Sequence, residues 1–285
     1  MSRRDRPGGR ERPGVLATVA IYTVLLVGAA ITLGPFVLSV LTSFKSPGQF
    51  AREPALALPA PFTLENYAQL FGPRVDFTRA VLVTFLVVLV VTAGQIAFSV
   101  LAAYAFARMR FPGREALFWV YLATLMVPAI VTLIPLYLLL TESGLRNTFW
   151  ALVLPFAFGS PYAIFLLREY FRGIPQELID AARLDGAGTL VTLVDVVVPL
   201  SRPILATLTL ITVVTHWNNF LWPLIITSGE QWRVVTVATA NLQSQYNGNW
   251  TLVMAATTLA IAPLLILFLI FQRQIVRSIS ITGFR

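Results

Sequence analysis

Apolar stretches of about twenty residues or more, with no Asp, Glu, Lys or Arg inside them, recur along the whole chain. In the hydrocarbon core of a bilayer every backbone amide and carbonyl must be satisfied within the spanning element, and a helix of this length does so. The expected spans are 15–44, 80–107, 116–141, 148–167, 204–227 and 251–271, six helices in an all-α polytopic membrane protein. Runs this long exclude a transmembrane barrel, whose strands alternate in polarity over about ten residues. The composition agrees, with 57% hydrophobic and only 12% charged residues and a mean hydropathy of +0.77.

The span at 15–44 follows a basic, Pro/Gly-rich segment, 1–14, and is about thirty residues long, which exceeds the apolar core of a secretory signal. It reads as a true helix behind a charged tail. The net charge of +8 follows the membrane instead of marking a nucleic-acid surface. Fifteen of the 21 Lys and Arg lie before the first span, in the second and fourth connections, and after the last span; the alternate connections hold the other six. By the positive-inside rule both termini and the segment 168–203 are cytoplasmic and the loop 44–79 is outside. The organisation expected is a cytoplasmic tail at 1–14, a transmembrane domain at 15–272 and a cytoplasmic tail at 273–285. There is no cysteine, so disulfide and thiol chemistry are absent.

Within 168–203 the sequence GIPQELIDAARLDGAG is too regular for a plain connection. Pro175 suits a helix start, Glu177 to Leu184 are good helix formers, and Asp185-Gly186-Ala187-Gly188 supplies a turn. A short helix outside the membrane is expected, with Ala181, Ala182 and Gly186 allowing close approach of another backbone and Glu177, Asp180, Arg183 and Asp185 offering charged contacts. This segment resembles the "EAA" loop of bacterial ABC importer permeases. Asp180-Ala181-Ala182 is followed after three residues by Gly186, and Val198-Pro199 stands where that family has Leu-Pro. Asp for Glu and Val for Leu keep the chemistry; Leu190, Val191, Leu193 and Asp195 depart from the family's aromatic and basic residues.

Three more stretches carry the resemblance. The run Phe62-Thr63-Leu64-Glu65-Asn66-Tyr67 is similar to a signature of the carbohydrate-importing branch, and by itself reads as a helix start with Thr63 as N-cap. The junction Ala103-Tyr104-Ala105-Phe106-Ala107-Arg108, continuing through Phe111-Pro112-Gly113, resembles the family's A-Y-A-x-A-R turn, and its arginines hold it on the inner face. Trp217-Asn218-Asn219-Phe220-Leu221-Trp222-Pro223 resembles W-N-E-F-x-x-P, with Asn219 where an acid is usual. Pro128 and Pro135 are expected to kink the third span.

The 204–227 span is the most polar. Thr209, Thr212, His216 and Asn219 are spaced by three, four and three and so fall on one helical face, beside Trp217, Asn218 and Trp222. Lipid cannot satisfy such a stripe, so it faces either neighbouring helices, through interhelical hydrogen bonds, or a passing solute. Trp222 can also be read as an interface anchor.

The resemblance implies a type I ABC importer permease similar to the smaller maltose-transporter-type subunit. Its implied partners are a second permease, two cytoplasmic ATPases, an extracytoplasmic solute-binding protein and the lipid bilayer, with no nucleic acid. It implies that 177–186 is a coupling helix seated in an ATPase cleft, that ATP and Mg bind the ATPase alone, and that this chain binds no cofactor. The sequence concurs on one point: its only lysine, Lys45 in Ser43-Phe44-Lys45-Ser46-Pro47, cannot form a P-loop. One histidine and no cysteine support neither a metal centre nor a catalytic nucleophile. The solute expected is a sugar or oligosaccharide; the alternatives are an importer of a polyol, glycerophosphodiester or peptide, or an ion-coupled carrier or channel, which would need charges inside the spans.

Overall fold

A computed structural model of the chain describes residues 15–245 and 248–282, with the side chains of 245 and 273–282 not included. The expected tail at 1–14 and the charged side chains of the tail after 272 lie outside the described residues. All regular structure among the described residues is helical. Helix α1 (Val15–Ser43) leads into a loop carrying α2 (Pro47–Arg52) and α3 (Glu65–Leu70), and then into α4 (Phe77–Arg108). The chain continues through α5 (Arg114–Ala123), α6 (Ala129–Glu142), α7 (Phe149–Val153), α8 (Pro161–Arg172) and α9 (Gln176–Leu184). After α10 (Thr189–Val191) and α11 (Val198–Leu200) come α12 (Arg202–Trp217), α13 (Leu221–Ile226), α14 (Val235–Gln245) and α15 (Trp250–Thr282).

Of the six spans read from hydropathy, three are uninterrupted helices: α1, α4 and the Trp250–Gln272 part of α15. None of the other three stretches is a single helix, each for a local reason; with the two bent helix pairs counted as one span each, the described residues hold up to five helical elements long and apolar enough to cross a membrane. The third bends by 98° between Met126 and Ala129. Val127 is extended, as a residue before proline prefers, and Pro128 becomes the N-cap of α6. Pro135, expected to kink the same span, sits inside α6. The fourth divides into α7 and α8, because Pro155 follows the first short helix and Pro161 opens the second at its first position.

In the fifth, α12 ends at Trp217, where the Asn218 side chain donates to the Val214 carbonyl at 2.8 Å and competes with the backbone ladder. Upstream, the stretch after Gly188 is helical, with π-helical winding over Thr192–Val197 just before Pro199, whose ring nitrogen has no proton to donate. It meets α12 at 82° across Ser201.

Helix α4 is the scaffold. It packs against α5, α7, α8, α12 and α14, while α1 runs along α15. Its valines and small residues contribute to all three buried apolar clusters: one with α8 and the π-helical turn, one with α14 and α15, one with α7 and α13. The crossing with the α7–α8 connection is tight enough that a Cβ on Gly94 would stand 2.5 Å from the Ala157 carbonyl oxygen. Below it the Ser99 hydroxyl accepts the Ser160 amide at 3.1 Å, and Tyr121 donates to the Gly159 carbonyl.

Candidate functional site

Helix α9 is a short charged helix whose one buried residue is Ile179, which is 1% exposed. Glu177, Asp180, Ala181, Arg183, Asp185 and Gly186 are exposed and Ala182 is half-buried. The end of the helix is specified by hydrogen bonding: the Gly186 amide donates to the Arg183 carbonyl at 3.0 Å and the Ala187 amide to the Ala182 carbonyl at 2.9 Å. This is the Schellman arrangement, and it requires the left-handed backbone that Gly186 adopts at φ +85°. The turn leaves Leu184 89% exposed at the tip, a large apolar side chain that none of the described residues covers. The seven residues expected to form the coupling segment are thus brought onto one helix and its cap.

Two arginines that the sequence placed only as orientation charges build this region. Arg108, the last residue of α4, donates from Nε and Nη2 to the Phe171 carbonyl at 3.1 and 2.5 Å, from Nη2 to the Ile174 carbonyl, and from Nη1 to Gln176 Oε1 at 2.7 Å. Gln176 in turn donates to Asp180 Oδ1 at 2.9 Å, so the end of α4 is wired through α8 to α9. Arg168 is buried on α8; its Nη2 meets both Glu115 carboxylate oxygens at 2.7 Å, its Nη1 meets Glu169 at 3.0 Å, and its guanidinium lies 4.0 Å from the Phe118 ring centre. The signal for Arg108 was present in the A-Y-A-x-A-R junction. Nothing local marked Arg168, whose partner stands 53 residues away.

The polar stripe of the fifth span is corrected. Asn219 lies beyond the end of α12, so the face ends at His216. Thr212 is buried and His216 sits 5.2 Å from the Phe156 ring. Thr209 and Trp217 line a different, mostly apolar cavity of about 600 Å3 between α4, α12 and α15. Trp217 donates to the Ala260 carbonyl at 2.9 Å. Trp222 is not at a lipid interface: it is buried, donates to the Ala151 carbonyl at 3.0 Å and meets Phe156 edge-on. Asn218 is exposed, and Asn219 is half-buried with its carbonyl accepting from Thr236 Oγ1 at 2.8 Å. Phe156, which no sequence pattern marked, is the side chain that His216 and Trp222 share.

On the far side of the bundle the run beginning at Phe62 does more than start a helix. Thr63 is not the N-cap; it precedes it, and its hydroxyl accepts the Glu65 amide at 3.1 Å. Asn66, 1% exposed, donates to the carbonyls of Ser43 and Lys45 and accepts from Thr251 Oγ1, joining α1, α3 and α15. Lys45 is fully buried, its Nζ donating to the Pro54 and Ala55 carbonyls to hold the loop between α1 and α3.

Long apolar helices, helix breaks at proline and asparagine, and a charged connecting helix pinned to the bundle by an arginine are the features of a polytopic helical membrane protein. The chain belongs to the family described as binding-protein-dependent transport system inner membrane component, whose model matches residues 95–281. It is 32% identical over 268 residues to the sn-glycerol-3-phosphate transport system permease protein UgpE of Yersinia pestis, covering 90% of this chain and 94% of that one. It is 31% identical over 261 residues to the arabinooligosaccharides transport system permease protein AraQ of Halalkalibacterium halodurans, covering 90% and 92%. In fold it matches a bacterial ABC transporter involved in the import of the acidic polysaccharide alginate, with a TM-score of 0.81 at 24% identity over 90% of this chain and 96% of that chain. The chain is therefore a permease subunit of a binding-protein-dependent ABC importer, an inner-membrane transport component and not an enzyme. Among the described residues no group of three or more His, Asp and Glu is placed to hold a metal ion.

Proposed function

We propose that the chain forms half of a solute pathway with a second permease, and that it takes its driving force from two cytoplasmic ATPases carrying ATP and Mg, through α9. The observation that carries this is the construction of α9: exposed along its charged face, capped at Gly186, tipped by Leu184 and tied to α4 through Gln176 and Arg108. A push on such a helix is passed to α4 and α8 through hydrogen bonds to a rigid guanidinium, so ATP-driven closure would shift the spans between inward-open and outward-open arrangements. In this reading both termini and α9 are cytoplasmic, and the loop between α1 and α4 faces the solute-binding protein. Because the chain lacks cysteine, single-cysteine variants test it directly. Leu184→Cys should cross-link to the ATPase and Leu56→Cys should not; the opposite pattern overturns the assignment.

The solute proposed is a sugar or oligosaccharide, supported by the arabinooligosaccharide relative. A glycerol-phosphate compound is the second reading, supported by the glycerol-3-phosphate relatives at slightly higher identity. His216, Asn218 and Asn219 are the groups proposed to meet the solute, with Thr212, Trp217 and Trp222 as the buried frame that holds them. Competition of labelled solute uptake by arabinose oligomers against glycerol 3-phosphate separates the two readings.

A further inference from the structure

Between the end of α4, the turn after it, α9 and the start of α10 lies an open polar cavity of about 930 Å3. Four guanidinium groups line it, those of Arg108, Arg110, Arg114 and Arg183, against one carboxylate, that of Asp180. Arg108 and Arg114 spend their donors inside the protein, the latter on the Met109 carbonyl at 3.0 Å and on Glu115. Arg110 has no hydrogen bond or ion pair among the described residues, and Arg183 only a 3.9 Å approach to Asp180.

Tyr104 provides a second, independent observation. It lines the same cavity, it is 3% exposed, and its buried hydroxyl has no partner among the described residues. Buried hydroxyls are nearly always paired, because the desolvation of an unused donor is otherwise lost. An unused donor beside an excess of guanidinium groups is matched by a ligand that only accepts hydrogen bonds and carries negative charge. We infer that this cavity binds a phosphate-bearing anion, with Arg110 and Arg183 supplying charge and Tyr104 a hydrogen bond. The occupant would bridge the turn after α4 to α9, and so restrain the helix proposed to couple. The inference rests on the orientation proposed above only for the source of the anion. On that orientation the cavity opens where α4 leaves the inner leaflet, within reach of an anionic lipid headgroup or of soluble phosphate.

Binding is measured without transport, so its failure is separate from failure of the coupling reading. The chain with its partner subunits is placed in nanodiscs of phosphatidylcholine with or without phosphatidylglycerol, and retained lipid is read by native mass spectrometry. A parallel titration with inorganic phosphate in detergent is read by thermal shift. Retention of phosphatidylglycerol identifies a headgroup and a phosphate-dependent shift identifies a soluble anion; either supports the site when Arg110→Gln weakens it about tenfold or more, the scale of one lost charge-assisted contact. Arg146→Gln, in the α6–α7 connection, should change neither. Tyr104→Phe should weaken binding while leaving the ligand-free complex as stable as before or more so, since it removes an unpaired hydroxyl. Neither anion binding, binding unaffected by Arg110→Gln, or binding by the isolated chain that the ATPase abolishes would each overturn the proposal, the last by giving the cavity to an ATPase carboxylate.

Discussion

Gly186 occupies a left-handed position at φ +85°, with no atom within 4 Å of where a Cβ would stand. Space is not the constraint there; backbone conformation is, and a β-branched residue bears it worst. Gly186→Val is expected to unwind the cap, and Asp180→Lys to reverse the charge that Gln176 and Arg183 hold. Both should leave the membrane helices folded but abolish the dependence of ATP hydrolysis on binding protein in the reconstituted complex, and normal uptake by both would reduce α9 to a linker. At the other candidate site the contrast is between Asn219 and Trp222, three residues apart in sequence. Asn219→Leu should lower uptake with assembly intact if, as proposed, its side chain meets the solute, since the bond this residue accepts from Thr236 goes to its backbone carbonyl. Trp222→Phe should instead lower complex stability by about 1–2 kcal/mol, because the buried Ala151 carbonyl loses its indole donor. A melting curve and an uptake assay on one preparation of each variant decide between the roles.

At the scale of elements, the short helices follow from punctuation that the sequence displays openly: Thr148, whose hydroxyl accepts the Ala151 amide at 3.2 Å, Pro161 at the first position of α8, and Gly186 at the end of α9. What the hydropathy pattern does not show is interruption, because a broken span and a continuous one have the same apolar composition. The breaks at Val127–Pro128 and after Trp217 come from single residues within apolar runs that a window average dilutes; the first was legible as a proline expected to kink its span, the second was not. The crossing of α4 with the α7–α8 connection was likewise invisible. Gly94 reads as one small residue in a long helix, yet a methyl group there would meet a backbone oxygen at 2.5 Å. Gly94→Ala is therefore expected to cost about 1–3 kcal/mol and to lower the yield of folded protein, as overpacking does, whereas Gly34→Ala, with open space around it, should be neutral or favourable. Equal yields and melting temperatures for the two would mean that the crossing is looser than described.

For the whole molecule, orientation is the property that the charge distribution predicts and that a reporter fusion can measure. Reporters at Gly188 and after Arg285 should be cytoplasmic and one at Pro59 outside; an outside signal at Gly188 would invert the proposed coupling face. The sequence by itself determined the membrane class, the all-helical architecture, the position of α9 and its cap, and the resemblance that the family match bears out. These rest on local composition and on spacing along one chain, where hydrocarbon burial and backbone hydrogen bonding leave few solutions. The tertiary structure alone decided which polar groups are spent and which remain available. Arg108 and Arg168 look like surface charges until folding brings carbonyls and a carboxylate from distant helices around them, and the indole donors of Trp217 and Trp222 look available until they are seen bonded to the Ala260 and Ala151 carbonyls. Hydrogen-bond satisfaction is a relation between residues far apart in the chain, so no local pattern carries it.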